Sequence, residues 1–240
     1  MESSSDERLL TLIKRHGTHP TAFQALEAGL DHWLYTAGPE REARGVVAYV
    51  QKGRYRVVAG MPIVGAPDYR GLIAAFLADT DAAGERALFF SADDALQASI
   101  AGAPSTKVRD WLAIGLQPEW DPTHYHTDGP ERRTLRAQVA RAKRKGVEAC
   151  AFDGRALADS GDELRAEIEE VIEGWLASRR MGVMRFLVDL QPFHHASERR
   201  YWVARRDGRV VAFLAAVPVY QRDGWFIEDM IRLPSAPNGT

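Results

Sequence analysis

The stretch GRVVAFLAAVPVYQRDGWFIEDMIRLPSAPNGT, Gly208 to Thr240, decides how this chain is read. Two β-rich runs flank Asp223-Gly224, and a third, RRYWVARR, precedes Asp207-Gly208. Asp-Gly between apolar runs is a strong hairpin signal, so the region predicts a three-stranded antiparallel meander. Pro218 cannot donate to a ladder, so the middle strand should be bulged or released from a neighbour there. With a period of two, Trp225, Ile227, Asp229 and Ile231 face one way and Phe226, Glu228, Met230 and Arg232 the other. A carboxylate inside such a run is costly unless it is paired, either by a side chain of the protein or by the ammonium of a ligand.

Upstream of the meander, Leu164, Ile168, Val171, Ile172, Trp175 and Leu176 repeat on one helical face, with Glu163, Glu167 and Glu170 on another; this helix should end near Met181-Gly182. Before it, ERRTLRAQVARAKRKG reads as a helix stopped by Gly146. Leu135, Val139 and Ala142 share its narrow apolar side. Arg133, Arg136, Arg141, Lys143 and Arg144 spread over the opposite arc, with Arg132 and Lys145 at its margins. Seven basic residues against one acid concentrate positive potential where phosphates could bind. A solvated helix face is the plainer alternative.

The polar PTHYHTDGP reads as a linker between two halves, residues 1–128 and 129–240. Ahead of it, VRDWLAIGLQPEW is expected to add a final strand to an alternating α/β half. In that half GVVAYVQKGRYRVVAG forms two strands around Lys52-Gly53, Leu72, Ile73, Phe76 and Leu77 mark a helix, ALFF a strand and ADDALQASI another helix. The start, MESSSDE, reads as disordered, followed by a short helix through Leu9, Leu12 and Ile13 that Gly17 ends.

A chain of 240 residues with 31 basic and 33 acidic side chains has a formal charge of -2, so a polyanionic partner must be met by a local patch. The single Cys150 excludes an internal disulfide and is expected to be buried or inert. No basic, apolar leader opens the chain, and VVAFLAAVPVY is shorter than the roughly 18 residues of a membrane span. The histidines, including His124, His126, His194 and His195, fall at no spacing that completes a triad or a metal set, and no metal is expected. GxGxxG, GxxxxGK[ST] and GxSxG are all missing, which leaves nucleotide hydrolysis and serine-hydrolase chemistry unsupported. A faint repeat aligns VVAGMPIVGAPDYRG with FIEDMIRLPSAPNGT, setting Ala59 opposite Asp229 and Pro62 opposite Arg232. If the halves are duplicated units, chemistry belongs to the second.

HPTAFQALEAGLDHWL, RTLRAQVARAKRKGV, WLASRRMGVMRFLVDLQPF and the closing stretch together resemble the phosphatidylglycerol lysyltransferase C-terminal domain family, the catalytic part of bacterial aminoacyl-phosphatidylglycerol synthases. The resemblance spans essentially the whole chain. It implies an α/β fold of two tandem acetyltransferase-like (GNAT) domains with mixed, largely antiparallel sheets, the second ending at the turn after its Trp225 strand and so incomplete. It further implies transfer of an aminoacyl group from aminoacyl-tRNA to a lipid hydroxyl, without a cofactor, by a cytoplasmic protein peripheral to the inner membrane. By resemblance Asp229 and Arg232 are catalytic, Glu228, Asn238, Gly239 and Thr240 bind substrate, and Arg132, Arg133, Arg136, Arg141, Lys143 and Arg144 meet tRNA or lipid phosphate. An acyl-CoA-dependent acyltransferase and a non-catalytic module for anionic lipid or RNA are the alternatives.

Overall fold

The structure is a computed structural model describing residues 2–36, 42–101, 110–157, 163–179 and 190–240. The polar start is not disordered: helix α1 (Glu2–His16) begins at Glu2. Leu9, Leu12 and Ile13 anchor the helix by burial. Gly17 ends it, its N–H reaching the Ile13 carbonyl at 2.7 Å.

Then come β1 (Asp31–Thr36), β2 (Ala43–Lys52), β3 (Tyr55–Ala59), β4 (Ile63–Val64), α2 (Tyr69–Ala82), β5 (Arg86–Phe90) and α3 (Asp94–Ala101). The order is β1-β2-β3-β5, with β4 also on β2. The expected hairpin is present, Lys52 pairing with Tyr55. Gly53 adopts φ 57° in its turn, a conformation that glycine takes without steric cost. Helix α2 is the crossover that makes β3 and β5 parallel. Its Leu72, Ile73 and Phe76 fill the core with Val47, Val58 and Leu96.

Residues 110–120 add no strand, contrary to expectation, and residues 108–109 of that stretch lie outside the described set. Every residue from 110 to 128 is exposed, including Leu112 and Leu116. β-propensity alone does not make a strand; a ladder partner is needed, and none of the described strands pairs with this segment.

The rest of the chain forms α4 (Arg133–Arg144), β6 (Val147–Asp153), α5 (Glu163–Ala177), β7 (Arg200–Arg206), β8 (Arg209–Val219) and β9 (Gly224–Arg232). The sheet order is β6-β7-β8-β9, so the meander gains a fourth strand that the sequence pattern did not reveal. Strand β6 is exposed along most of its length and shows no apolar alternation. It carries Cys150, which is exposed rather than buried. Gly146, at φ 76°, stops α4 as expected. Helix α5 ends at Ala177, with Ser178 and Arg179 already outside it, four residues before the expected Met181-Gly182, which itself lies outside the described residues.

Pairing of β7 with β8 runs from Arg206↔Arg209 to Arg200↔Ala216, so Pro218 sits just beyond the last residue that needs a β7 partner. Leu164, Ile168 and Val171 of α5 cover this sheet through Tyr201, Val203, Phe213, Ala215 and Ile231. The chain groups into two compact units. One holds the residues up to Ile114 together with Pro218–Phe226, and the other holds Gly115 onward, Leu190–Val217 and Ile227–Thr240.

Candidate functional site

At the end of β9 the period-two reading holds, with Asp229 and Ile231 buried and Met230 and Arg232 exposed, but Trp225 and Ile227, expected on the Asp229 face, are exposed. Glu228 does not reach solvent either. Its Oε2 accepts a hydrogen bond from Arg199, and the two side chains are only 11% and 3% exposed. Arg199 lies one residue before β7 and also donates from Nε to the His194 carbonyl at 2.7 Å. A guanidinium this deep needs such partners, because desolvation of an unpaired charge costs several kcal/mol.

Asp229 is 8% exposed, and the charges that act on it are those of Glu228 and Arg199. Burial raises its pKa to about 7, the neighbouring Glu228 carboxylate pushes in the same direction, and Arg199 opposes both. Oδ2 of Asp229 and Oε1 of Glu228 are buried without a hydrogen-bond partner among the described residues. Of the two carboxylates only Glu228 is ion-paired with Arg199, which acts on Asp229 through its charge alone, so an ionised Asp229 is short of a positive charge and of donors. Tyr201 is fully buried and lies within electrostatic reach of Arg199, Glu228 and Asp229. Its hydroxyl donates to the Pro192 carbonyl, and burial pushes its pKa upward, so it stays protonated.

The other candidate residues gather elsewhere in the same unit. Arg232 donates to the Ala236 carbonyl at 3.3 Å and so ties the end of β9 to the turn that follows. In that turn the Thr240 N–H and hydroxyl both reach the Pro237 carbonyl, at 3.1 and 2.6 Å. Gly239 has φ 97°, and a Cβ there would collide with the Gln138 carbonyl of α4, so only glycine allows the turn to press on the helix. Asn238 is exposed and lines a cleft with Lys145 and Arg206. The structure therefore brings Glu228 and Asp229 together with Arg199, and sets Asn238, Gly239 and Thr240 against α4.

On α4 the residues Arg133, Arg136, Arg141, Lys143 and Arg144 are exposed, and Arg132 just ahead of the helix is half-buried. The apolar stripe is thin: Ala142 is buried, but Val139 is 43% exposed. Arg132 stacks over the Tyr125 ring at 5.0 Å, and Arg136 donates to the Thr127 and Gly129 carbonyls, so these two fasten the preceding segment. Arg133, Arg141, Lys143 and Arg144 have no carboxylate partner among the described residues.

Arg199 and Tyr201 escaped sequence reading. The demand for a cation near the β9 carboxylates was legible, but Arg199, Arg200, Arg205 and Arg206 are equivalent in the sequence, and Arg199 lies 29 residues from Glu228. No described helix is long and apolar enough to cross a membrane.

Comparison with curated proteins gives no match. Among solved structures, the chain is similar to one described as the C-terminal domain of a lysylphosphatidylglycerol synthetase from Agrobacterium fabrum, with a TM-score of 0.78 at 22% identity. That similarity covers 100% of this chain and 70% of the other. The chain is also similar to L-PGS from Bacillus licheniformis, with a TM-score of 0.78 at 18% identity over 97% of this chain and 67% of that one. At these identities the likeness establishes the fold, an α/β architecture with mixed sheets. The model of the phosphatidylglycerol lysyltransferase C-terminal family matches residues 8–240, and the chain belongs to that family.

Proposed function

We propose that this chain moves an aminoacyl group from aminoacyl-tRNA to a hydroxyl of a phosphatidylglycerol-like lipid, working in the cytoplasm at the inner membrane, and that each unit is acetyltransferase-like. The observation that carries this reading is the uncompensated pair of carboxylates around Arg199. The α-ammonium of an aminoacyl ester supplies both things the site is short of: a positive charge and N–H donors for Asp229 Oδ2. Membership of a family named for lysyl transfer to phosphatidylglycerol makes transfer to a lipid the frame.

An aminoacyl ester is already activated, so alignment and electrostatic stabilisation supply most of what the reaction needs. In this reading the acceptor oxygen attacks the ester carbonyl, its proton passes to the departing ribose oxygen, and one ester bond replaces another without any redox change. Asp229 holds the ammonium as a carboxylate. Arg232, exposed and bound to the protein through a single carbonyl, offers its remaining N–H groups to the ester oxygen. The exposed arc of α4 supplies positive charge for the tRNA backbone.

The test is transfer of a labelled amino acid from charged tRNA to phosphatidylglycerol vesicles, with Asp229→Ala expected to abolish it. Equal binding of charged and uncharged tRNA, together with no transfer, would refute the proposal. A second reading, a non-catalytic module for anionic lipid or RNA, is favoured by the unpaired arginines of α4 alone. It requires vesicle or RNA binding that charge reversal on α4 removes, with no turnover in any assay.

A further inference from the structure

A cleft that Asp229 does not line holds two cations, Lys145 and Arg206, for which no ligand has been named. It encloses about 370 Å³ and is lined by Lys145, Arg206, Ser235, Ala236, Pro237 and Asn238. Three separate pieces of the chain build it, and each is fixed by backbone geometry. Lys145 is the last residue before α4 is broken off by Gly146, its N–H bonded to the Ala142 carbonyl at 3.0 Å. Two residues later Val147 pairs with Arg206, the last residue of β7, and this register sets the two cations side by side. Arg206 is held in turn by the tight Asp207-Gly208 turn, whose residues adopt φ 52° and 80°. The third wall is the turn after β9, pinned to α4 where Gly239 meets Gln138.

We propose that this cleft binds a glycerol-phosphate group. Lys145 has no recorded carboxylate partner among the described residues, and Arg206 meets only the exposed Asp207, at 3.4 Å. With only the exposed Asp207 beside them, the two cations leave the cleft with an excess of positive charge, which suits a phosphate ester. The Ser235 hydroxyl and the Asn238 amide both donate and accept, and so suit neighbouring alcohol groups rather than a bare anion. The buried Ala236 and Pro237 form an apolar floor that excludes water from one side. A volume of about 370 Å³ stands at the lower end of the roughly 300–1,000 Å³ usual for small-ligand sites. It suits one headgroup, whereas a nucleic-acid backbone is tracked by an extended row of cations of the kind α4 presents.

The choice of glycerol as the polyol rests on the lipid-acceptor reading above; the phosphate site itself does not. Isothermal titration of the 240-residue chain with sn-glycerol 3-phosphate, inorganic phosphate and soluble dihexanoylphosphatidylglycerol tests it, without tRNA and without turnover. Glycerol 3-phosphate should saturate and should bind more tightly than inorganic phosphate. In Lys145→Glu/Arg206→Glu that binding should weaken about tenfold or more, the scale of a lost charge-assisted hydrogen bond. Arg133→Glu/Arg141→Glu should leave it unchanged, and circular dichroism confirms that both variants are folded.

Tighter binding of the short-chain lipid than of glycerol 3-phosphate identifies the source as a membrane headgroup, and equal binding identifies a soluble ester. Either result supports the site. Inorganic phosphate binding as well as the esters, no saturation by any probe, an unchanged constant in the Lys145/Arg206 variant, or competition only by a short RNA overturns the proposal. Asp229→Asn should bind glycerol 3-phosphate normally, so failure of transfer and failure of this site are read separately.

Discussion

Among the described residues each unit buries one arginine, and the two arginines are treated differently. In the first unit Arg56 donates to Asp79 and to Glu85, both at 2.6 Å, and its guanidinium faces the rings of Tyr49 and Phe76. Asp79 is half exposed, so water shares the cost of its charge. In the second unit Arg199 meets Glu228 with both side chains covered, and Asp229 follows in the same strand with a buried oxygen left over. The first arrangement is complete, as a structural brace must be. The second leaves a buried carboxylate oxygen without a partner among the described residues, which is the arrangement the proposed ligand ammonium would complete.

The largest expected effect separates the two sites by activity. Asp229→Asn should lower aminoacyl transfer by about 100-fold or more, the size lost with a single electrostatic contact at a reacting centre. Asp79→Asn should leave the rate per folded molecule in place. Equal losses in a transfer assay would break the contrast.

Removing the arginines sharpens it through stability. Arg199→Met strands a covered carboxylate and should cost about 3–5 kcal/mol in urea unfolding. Arg56→Met should cost less, because Asp79 is already half hydrated.

The pH profile distinguishes the sites next. Asp229 titrates near 3.8 when unfolded and at about 7 in the fold, so between those values the native state holds the extra proton. Stability therefore falls as pH rises from about 4 through 7 and levels off above, by up to about 4 kcal/mol at ~1.4 kcal/mol per unit. Asp229→Asn should flatten this slope and melt above wild type at pH 8, as followed by circular dichroism. A variant that melts lower at pH 8 than wild type would mean that the carboxylate is satisfied after all.

The smallest effect lies on the surface. Arg133→Glu/Arg141→Glu should change stability by no more than about 0.5 kcal/mol per site, since neither residue has a carboxylate partner. The same change should flatten the salt dependence of RNA binding, measured by fluorescence anisotropy.

Much of the scaffold was legible because its signals are local. Asp207-Gly208 and Asp223-Gly224 placed the hairpins, the 164–176 periodicity placed α5, and Gly146 placed the end of α4. The misses share a cause in long-range context. Strand β6 shows no alternation because most of its residues face solvent, and residues 110–120 have strand-like composition but no ladder partner. Helix α1 takes in a polar start because burial of Leu9, Leu12 and Ile13 holds it.

By itself the sequence determined the β9 strand with its consecutive Glu228 and Asp229, the concentration of charge on α4, and the family to which both belong. Only the tertiary structure decided that Arg199 pairs with Glu228, that burial raises the pKa of Asp229 to about 7, and that Lys145 and Arg206 share a cleft. The reason is physical. Turn and helix preferences act over a few residues, whereas desolvation and Coulomb interactions depend on distances in space that strand register and packing set.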